Sequence, residues 1–152
     1  ALSDIGQNLA EQSGFINLQP ELQRVVHDTS VPEQYSKLTT DALRISINFR
    51  FTPNTNNLDN KAQRDLDRLT KYLFRHENNT KLILLFGFSD NTGTPAENKA
   101  KSLNDANIVA KALKMRGINL SNIEGFGASV PLASNDEAVG RIKNRRVEIW
   151  LR

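Results

Sequence analysis

The order of hydrophobic patterns predicts an α/β fold, a two-layer βαβαββ sandwich with a mixed sheet. Three observations predict it. Leu43, Ile45, Ile47, Phe49 and Phe51 alternate with polar residues, as a strand with one buried face requires. Lys81–Phe88 is an apolar run of the kind that a central strand covered on both faces shows. Two sets, Ala62, Leu66, Leu69, Leu73 and Ser102, Ala106, Val109, Leu113, recur at helical spacing between the strands.

Taken in chain order, residues 1–20 read as a short helix and its exit. Ser3 can cap it, Ile5 and Leu9 lie one turn apart, and Gly14 suits the position after its end. Phe15–Leu18 then runs extended into Pro20. Residues 21–42 are polar, contain Pro32 and two Ser/Thr clusters, and read as a linker, although Leu22, Val25 and Val26 could share one face of a single turn. After the alternating strand, Thr52–Asn57 is a loop, since Pro53 cannot donate to a ladder and Asn tolerates turn geometry. An amphipathic helix follows from about Leu58 to His76 and is broken by Asn78-Asn79. Ser89–Pro95 is a loop, the second helix ends at Gly117, and Ile123–Phe126 is a short strand. Ala128–Asn144 is a long connection bearing Gly and Pro, before the alternation of Val147, Ile149 and Leu151 in a last strand.

A chain of 152 residues can hold one full core and an appendage. At 38% hydrophobic and 24% charged residues its composition is that of a soluble globular protein. The net charge of +3 is mild and spread among acids, unlike the clustered charge of a nucleic-acid binder. The nearest approach to a basic cluster is Arg141, Lys143, Arg145 and Arg146. We read it as bracing the long connection by pairing with Asp136, Glu137 or Glu148, the alternative being a patch for an acidic partner. With no cysteine, disulfides and thiol chemistry are excluded. The longest apolar run, Leu82–Phe86, is far too short to cross a bilayer. No signal peptide is visible, so the chain reads as mature or, preferably, as part of a longer protein.

Enzyme patterns are missing. His27 and His76 sit in unrelated segments without metal-ligand spacing, and neither a G-x-S-x-G nor a Walker A stretch occurs. No catalytic set, cofactor or metal is expected. The best local candidate is Gly87-Phe88-Ser89-Asp90-Asn91-Thr92-Gly93. It puts a carboxylate at the C-terminal end of a strand, in a loop feeding a helix, where α/β sheets commonly hold ligands. Turn chemistry also accounts for Asp90, Asn91 and Gly93, with Thr92 or Thr94 as a helix cap.

These residues belong to a longer series. Gly87–Gly93, then Asn98 and Ser102, Gly125-Phe126-Gly127, Pro131, Asn135, Gly140-Arg141 and Asn144–Glu148 follow in an order similar to the C-terminal OmpA-like family, as do Phe49-Arg50-Phe51, Leu58-Asp59 and Ala62. The resemblance covers about residues 43–152. It implies a periplasmic, non-catalytic domain that binds the peptidoglycan stem peptide at diaminopimelate. The residue matching Asp90 would hold the ammonium, an arginine on the next helix a carboxylate, and the loop near Thr52 together with Asn98, Thr92 and Gly93 would line the pocket. An Arg fork suits a carboxylate bidentately. This chain departs from the family where the second helix reads Leu-Ser-x-x-Arg-Ala, because Asp105 stands in the arginine's place. A charge contact at about 4 Å is worth about 4 kcal/mol at an effective dielectric near 20, before desolvation, and the reversal turns attraction into repulsion of similar size. Lys101, one turn earlier, is the available substitute. Alternatively, Asp90 and Asp105 create a site for a cation, an amine or a basic segment of a partner, with peptidoglycan binding altered or lost.

Residues 1–20 carry a second, shorter resemblance. Leu2-Ser3…Gly6-Gln7 and Gly14-Phe15-Ile16…Leu18 are similar to the C-terminal end of phosphate-type periplasmic solute-binding proteins. That implies a parent protein joining such a module to an OmpA-like domain in the cell envelope, with residues 1–20 packing poorly away from their own module.

Overall fold

The computed structural model describes residues 17–18, 31–47, 58–75 and 81–152. The elements are β1 (Asn17–Leu18), α1 (Glu33–Thr39), β2 (Leu43–Ile47), α2 (Asn60–Leu73), β3 (Ile83–Phe88), α3 (Pro95–Met115), β4 (Asn122–Gly125), α4 (Ala138–Asn144) and β5 (Arg146–Leu151). They build one mixed sheet in the order β1-β2-β5-β3-β4. β5 is antiparallel to both β2 and β3, and β4 runs parallel to β3. The expected sandwich is therefore present, with the apolar run as an interior strand between β5 and β4.

Local chemistry sets the helix ends. Asp59 caps α2 by accepting the Ala62 amide at 2.8 Å. Thr94 caps α3 by accepting the Glu97 amide, and Pro95 takes the first helical position, where its missing N–H costs nothing. α3 stops where Gly117 adopts φ +86°, with Gly117 N–H donating to the Lys114 carbonyl and Ile118 N–H to that of Leu113.

Strand alternation sends side chains to two apolar layers. On one face, Ile45, Leu85 and Ile149 pack with Leu66 and Leu69 of α2 and Val109 and Leu113 of α3. On the other, Leu84, Phe86, Phe88 and Trp150 pack with Tyr35 of α1 and with Val130. Tyr35 meets Phe86, Phe88, Phe126 and Trp150 edge to face.

Two spans differ from the sequence reading. The span taken as linker contains α1, which starts at Pro32 without a side-chain cap and buries only Tyr35 and Thr39. The 128–144 connection contains α4. Its Gly140 argues against a helix by propensity, yet a Cβ there would lie 1.8 Å from the Ser134 carbonyl oxygen, so close packing demands glycine. Within residues 1–20, Asn17 and Leu18 pair antiparallel with Ser46 and Ile45, which places that end of the segment on the sheet edge. The expected helix before them, the Leu22–Val26 turn, Phe49, Phe51, the Thr52–Asn57 loop, His27, His76 and Asn78-Asn79 lie outside the described residues.

α1, β2 and β5 converge on one buried acid. Glu148 accepts from the Tyr35 hydroxyl at 2.8 Å, Arg44 Nη1 at 3.2 Å, Arg146 Nε at 2.8 Å and Trp150 Nε1 at 3.0 Å. Burial alone would push its carboxyl up. Arg146 and Arg44, with the indole and phenol donors, outweigh that and hold it below the ordinary glutamate value. A depressed carboxyl of this kind adds stability above the unfolded-state value near 4.5, and loses it as pH falls through the folded-state value. Replacing it by Glu148→Gln leaves two buried guanidinium ions facing a neutral amide. We expect a loss of about 3–5 kcal/mol at pH 7 and a flatter fall in stability below about pH 4.5, read from denaturant midpoints across pH. An unchanged midpoint at pH 7 would contradict the account.

Candidate functional site

The loop from β3 to α3 leaves the sheet between two close backbone approaches. Gly87 and Gly125 are register partners on the parallel strands β3 and β4. A Cβ on Gly87 would fall 1.9 Å from the Ser102 carbonyl oxygen, and one on Gly125 would fall 2.6 Å from the Leu103 amide nitrogen. The two bare positions make a trough in which α3 lies against the sheet backbone. Ser102 then accepts the Gly127 amide at 2.9 Å, and the Gly127 carbonyl accepts the Ser89 amide at 2.9 Å. α3, the turn after β4 and the start of the candidate loop are thus joined.

Asp90 stands at the C-terminal end of β3 and is only 4% exposed. Its Oδ1 accepts from both the amide and the hydroxyl of Thr92, which closes the turn. Its Oδ2 receives Arg145 Nη1 at 3.2 Å. Burial pushes the Asp90 carboxyl up, but the Thr92 donors and the charges of Arg145 and Lys101 together hold it below the usual carboxylate range. Asp90 is therefore an anion. Asn98, on the first turn of α3, is committed to the same loop. Its Oδ1 accepts the Gly93 amide at 3.2 Å, and its Nδ2 donates to the Gly93 carbonyl at 3.1 Å.

The structure thus brings together Asp90, Thr92, Gly93 and Asn98, with turn chemistry and candidate-site chemistry held by the same atoms. Lys101 is exposed, and its charge acts on both Asp90 and Asp105. Asp105 lies partly buried on α3, where burial pushes its carboxyl up against the opposing pull of Lys101. Thr52 lies outside the described residues.

Arg145 is the residue that sequence reasoning missed. The bracing role holds for Arg146, which donates to Glu148, to the Val130 and Asn144 carbonyls, and lies 4.0 Å over the Phe88 ring. Arg141 holds the Asn135 carbonyl at 2.9 Å. Arg145 instead leaves the brace, turns to Asp90 and stays 46% exposed in its side chain. The available signal was alternation. Arg146 begins β5 facing one way, so its predecessor must point elsewhere.

The chain is thus a mixed α/β sandwich with a buried anion and a half-exposed cation paired at the end of β3, the position where α/β sheets commonly hold ligands. The chain belongs to the OmpA family, whose model matches residues 50–145. It is 42% identical over 71 residues to the probable lipoprotein YiaD of Escherichia coli, covering 45% of this chain and 32% of that one. It is 44% identical over 69 residues to the peptidoglycan-binding protein ArfA of Mycobacterium tuberculosis, covering 44% of this chain and 21% of that one. The chain thus spans a third or less of the length of these relatives. The cell wall anchor of the T6SS from Pseudomonas aeruginosa has the same fold, with a TM-score of 0.69 at 22% identity over 99% of this chain and 96% of that one. Among the described residues, no helix is long and apolar enough to cross a membrane, and no acid or histidine cluster suits a metal.

Asn98 sets the loop on which Asp90 rides. Removing its two part-buried hydrogen bonds by Asn98→Ala should cost about 1–2 kcal/mol and speed hydrogen exchange at the Gly93 amide. Unchanged protection at Gly93 would show that the loop is held by other means.

Proposed function

We propose that this domain attaches its parent protein to peptidoglycan in the periplasm, by binding rather than catalysis, and that it grips the diaminopimelate of the stem peptide at Asp90 and Arg145. The observation that carries this reading is their ion pair. A zwitterionic end group carries one ammonium and one carboxylate. Entering beside the pair, it puts its ammonium on the Asp90 carboxylate and its carboxylate on the exposed face of the Arg145 guanidinium, making two complementary contacts. The guanidinium fork replaces the cation that Asp105 removes from α3. Thr92, Gly93 and Asn98 hold Asp90 in place, Lys101 adds positive charge to the rim, and Thr52 is the further lining residue that the family resemblance implies. Family membership and the name of the ArfA relative support peptidoglycan as the partner. The Leu2–Gln7 and Gly14–Leu18 stretches are the support for a parent chain that also carries a phosphate-type solute-binding module ahead of this domain.

A second reading rests on Asp105. A partly buried acid where the family carries an arginine favours an amine, a cation or a basic partner segment over the wall peptide. Sedimentation with purified sacculi at low salt separates the two. The first reading expects retention that is lost in both Asp90→Ala and Arg145→Ala, and strengthened about tenfold or more in Asp105→Arg. It fails if the wild-type chain stays in the supernatant, or if Arg145→Ala is retained as well as wild type. The second reading expects no wild-type retention and its appearance only in Asp105→Arg.

A further inference from the structure

The end of the sheet opposite the candidate site exposes apolar side chains among cations. β3 runs from this end to the site, so its six residues separate the two by about 20 Å. α2 and α3 both finish here. Phe74, the residue after α2, is 59% exposed, and Met115, the last of α3, is 79% exposed. Leu82, just before β3, is 51% exposed. Phe74 and the α3 terminus are neighbours, since a Cβ on Gly117 would lie 3.4 Å from the Phe74 ring. Leu82 exchanges backbone hydrogen bonds of 2.9 Å with Arg152.

Exposed Arg75, Lys81 and Lys114 are the chain neighbours of Phe74, Leu82 and Met115 respectively. Arg116 at the same end is tied to Asp67 at 2.8 Å and to Gln63. Arg152 is an exposed cation and Asp41 an exposed acid of this end. Apolar tips ringed by basic residues match a layer with negative headgroups above hydrocarbon. Cations pair with the headgroups while apolar side chains enter the boundary.

We propose that this end docks on an anionic phospholipid surface through Phe74 and Met115, with Arg75, Lys81 and Lys114 supplying the attraction and Leu82 on the other face of the sheet at the margin of the contact. The domain then lies between a bilayer and whatever its opposite rim holds.

The test is sedimentation of the 152-residue chain with phosphatidylcholine vesicles, with and without phosphatidylglycerol. Binding should require phosphatidylglycerol and weaken as salt is raised. A Phe74→Ser/Met115→Ser double variant should bind about tenfold more weakly, and Lys114→Glu should also weaken binding. A Met115→Trp reporter should shift its emission to the blue on vesicles, because Trp150 is already buried. Thermal midpoints of the variants check folding, and Met115→Ser alone serves if the double variant is unstable. The proposal is overturned if the chain ignores phosphatidylglycerol vesicles at low salt. It is equally overturned if folded apolar variants bind as wild type does, or if the reporter emission does not move.

Discussion

The structure depends on one carboxylate with no access to water. Glu148 points away from α2 and α3, into a layer of aromatic rings, where an ion would normally be unaffordable. Four donors from α1, β2 and β5 make it tolerable, two of them guanidinium groups. The arrangement specifies more than it stabilises, because apolar side chains of the same volume would fill the space as well. Its effect is registration. Tyr35 can cover the sheet only where its hydroxyl reaches Glu148, and Arg146 can leave β5 only toward the Val130 carbonyl. Arg145 is thereby placed on the opposite side of the chain, at Asp90.

Ion pairing therefore links the second apolar layer to the rim. The aromatic cluster, the Glu148 network and the Asp90–Arg145 pair share a single stretch of backbone at the start of β5. α3 contributes from the other side through Ser102 and the Gly87–Gly125 trough, which carries no side chain that could adjust.

Much of this was legible in the sequence where the signal is local. Alternation from Leu43, the apolar run to Phe88 and the helix ends at Thr94 and Gly117 each depend on neighbours a few positions away. The strand is present over its described part, Leu43–Ile47, and of the two candidate caps Thr94 is the one used. Asp90 was legible because strand, loop and helix signals bracket it. α1 was not, since a seven-residue helix with two inward residues lacks a countable period. α4 was hidden by Gly140, whose cause is a contact with Ser134 in the adjoining loop. The Asp90–Arg145 pair spans 55 positions, and nothing in either neighbourhood announces the other. The same holds for Tyr35 and Glu148, 113 positions apart. Short-range rules reach elements and their ends, while ion pairs across the sheet follow from the assembled topology.

The position of Arg145 also has a mechanical meaning. It directly precedes β5, which among the described residues pairs with β3 along Arg146–Leu151 and with β2 along Val147–Leu151. Tension applied at that side chain and directed along the strand would run into two ladders at once. Their hydrogen bonds would be stressed in shear, all together, instead of being unzipped in succession. A grip placed there resists sustained traction better than one mounted on β4, a strand of four residues with a single neighbour among the described residues.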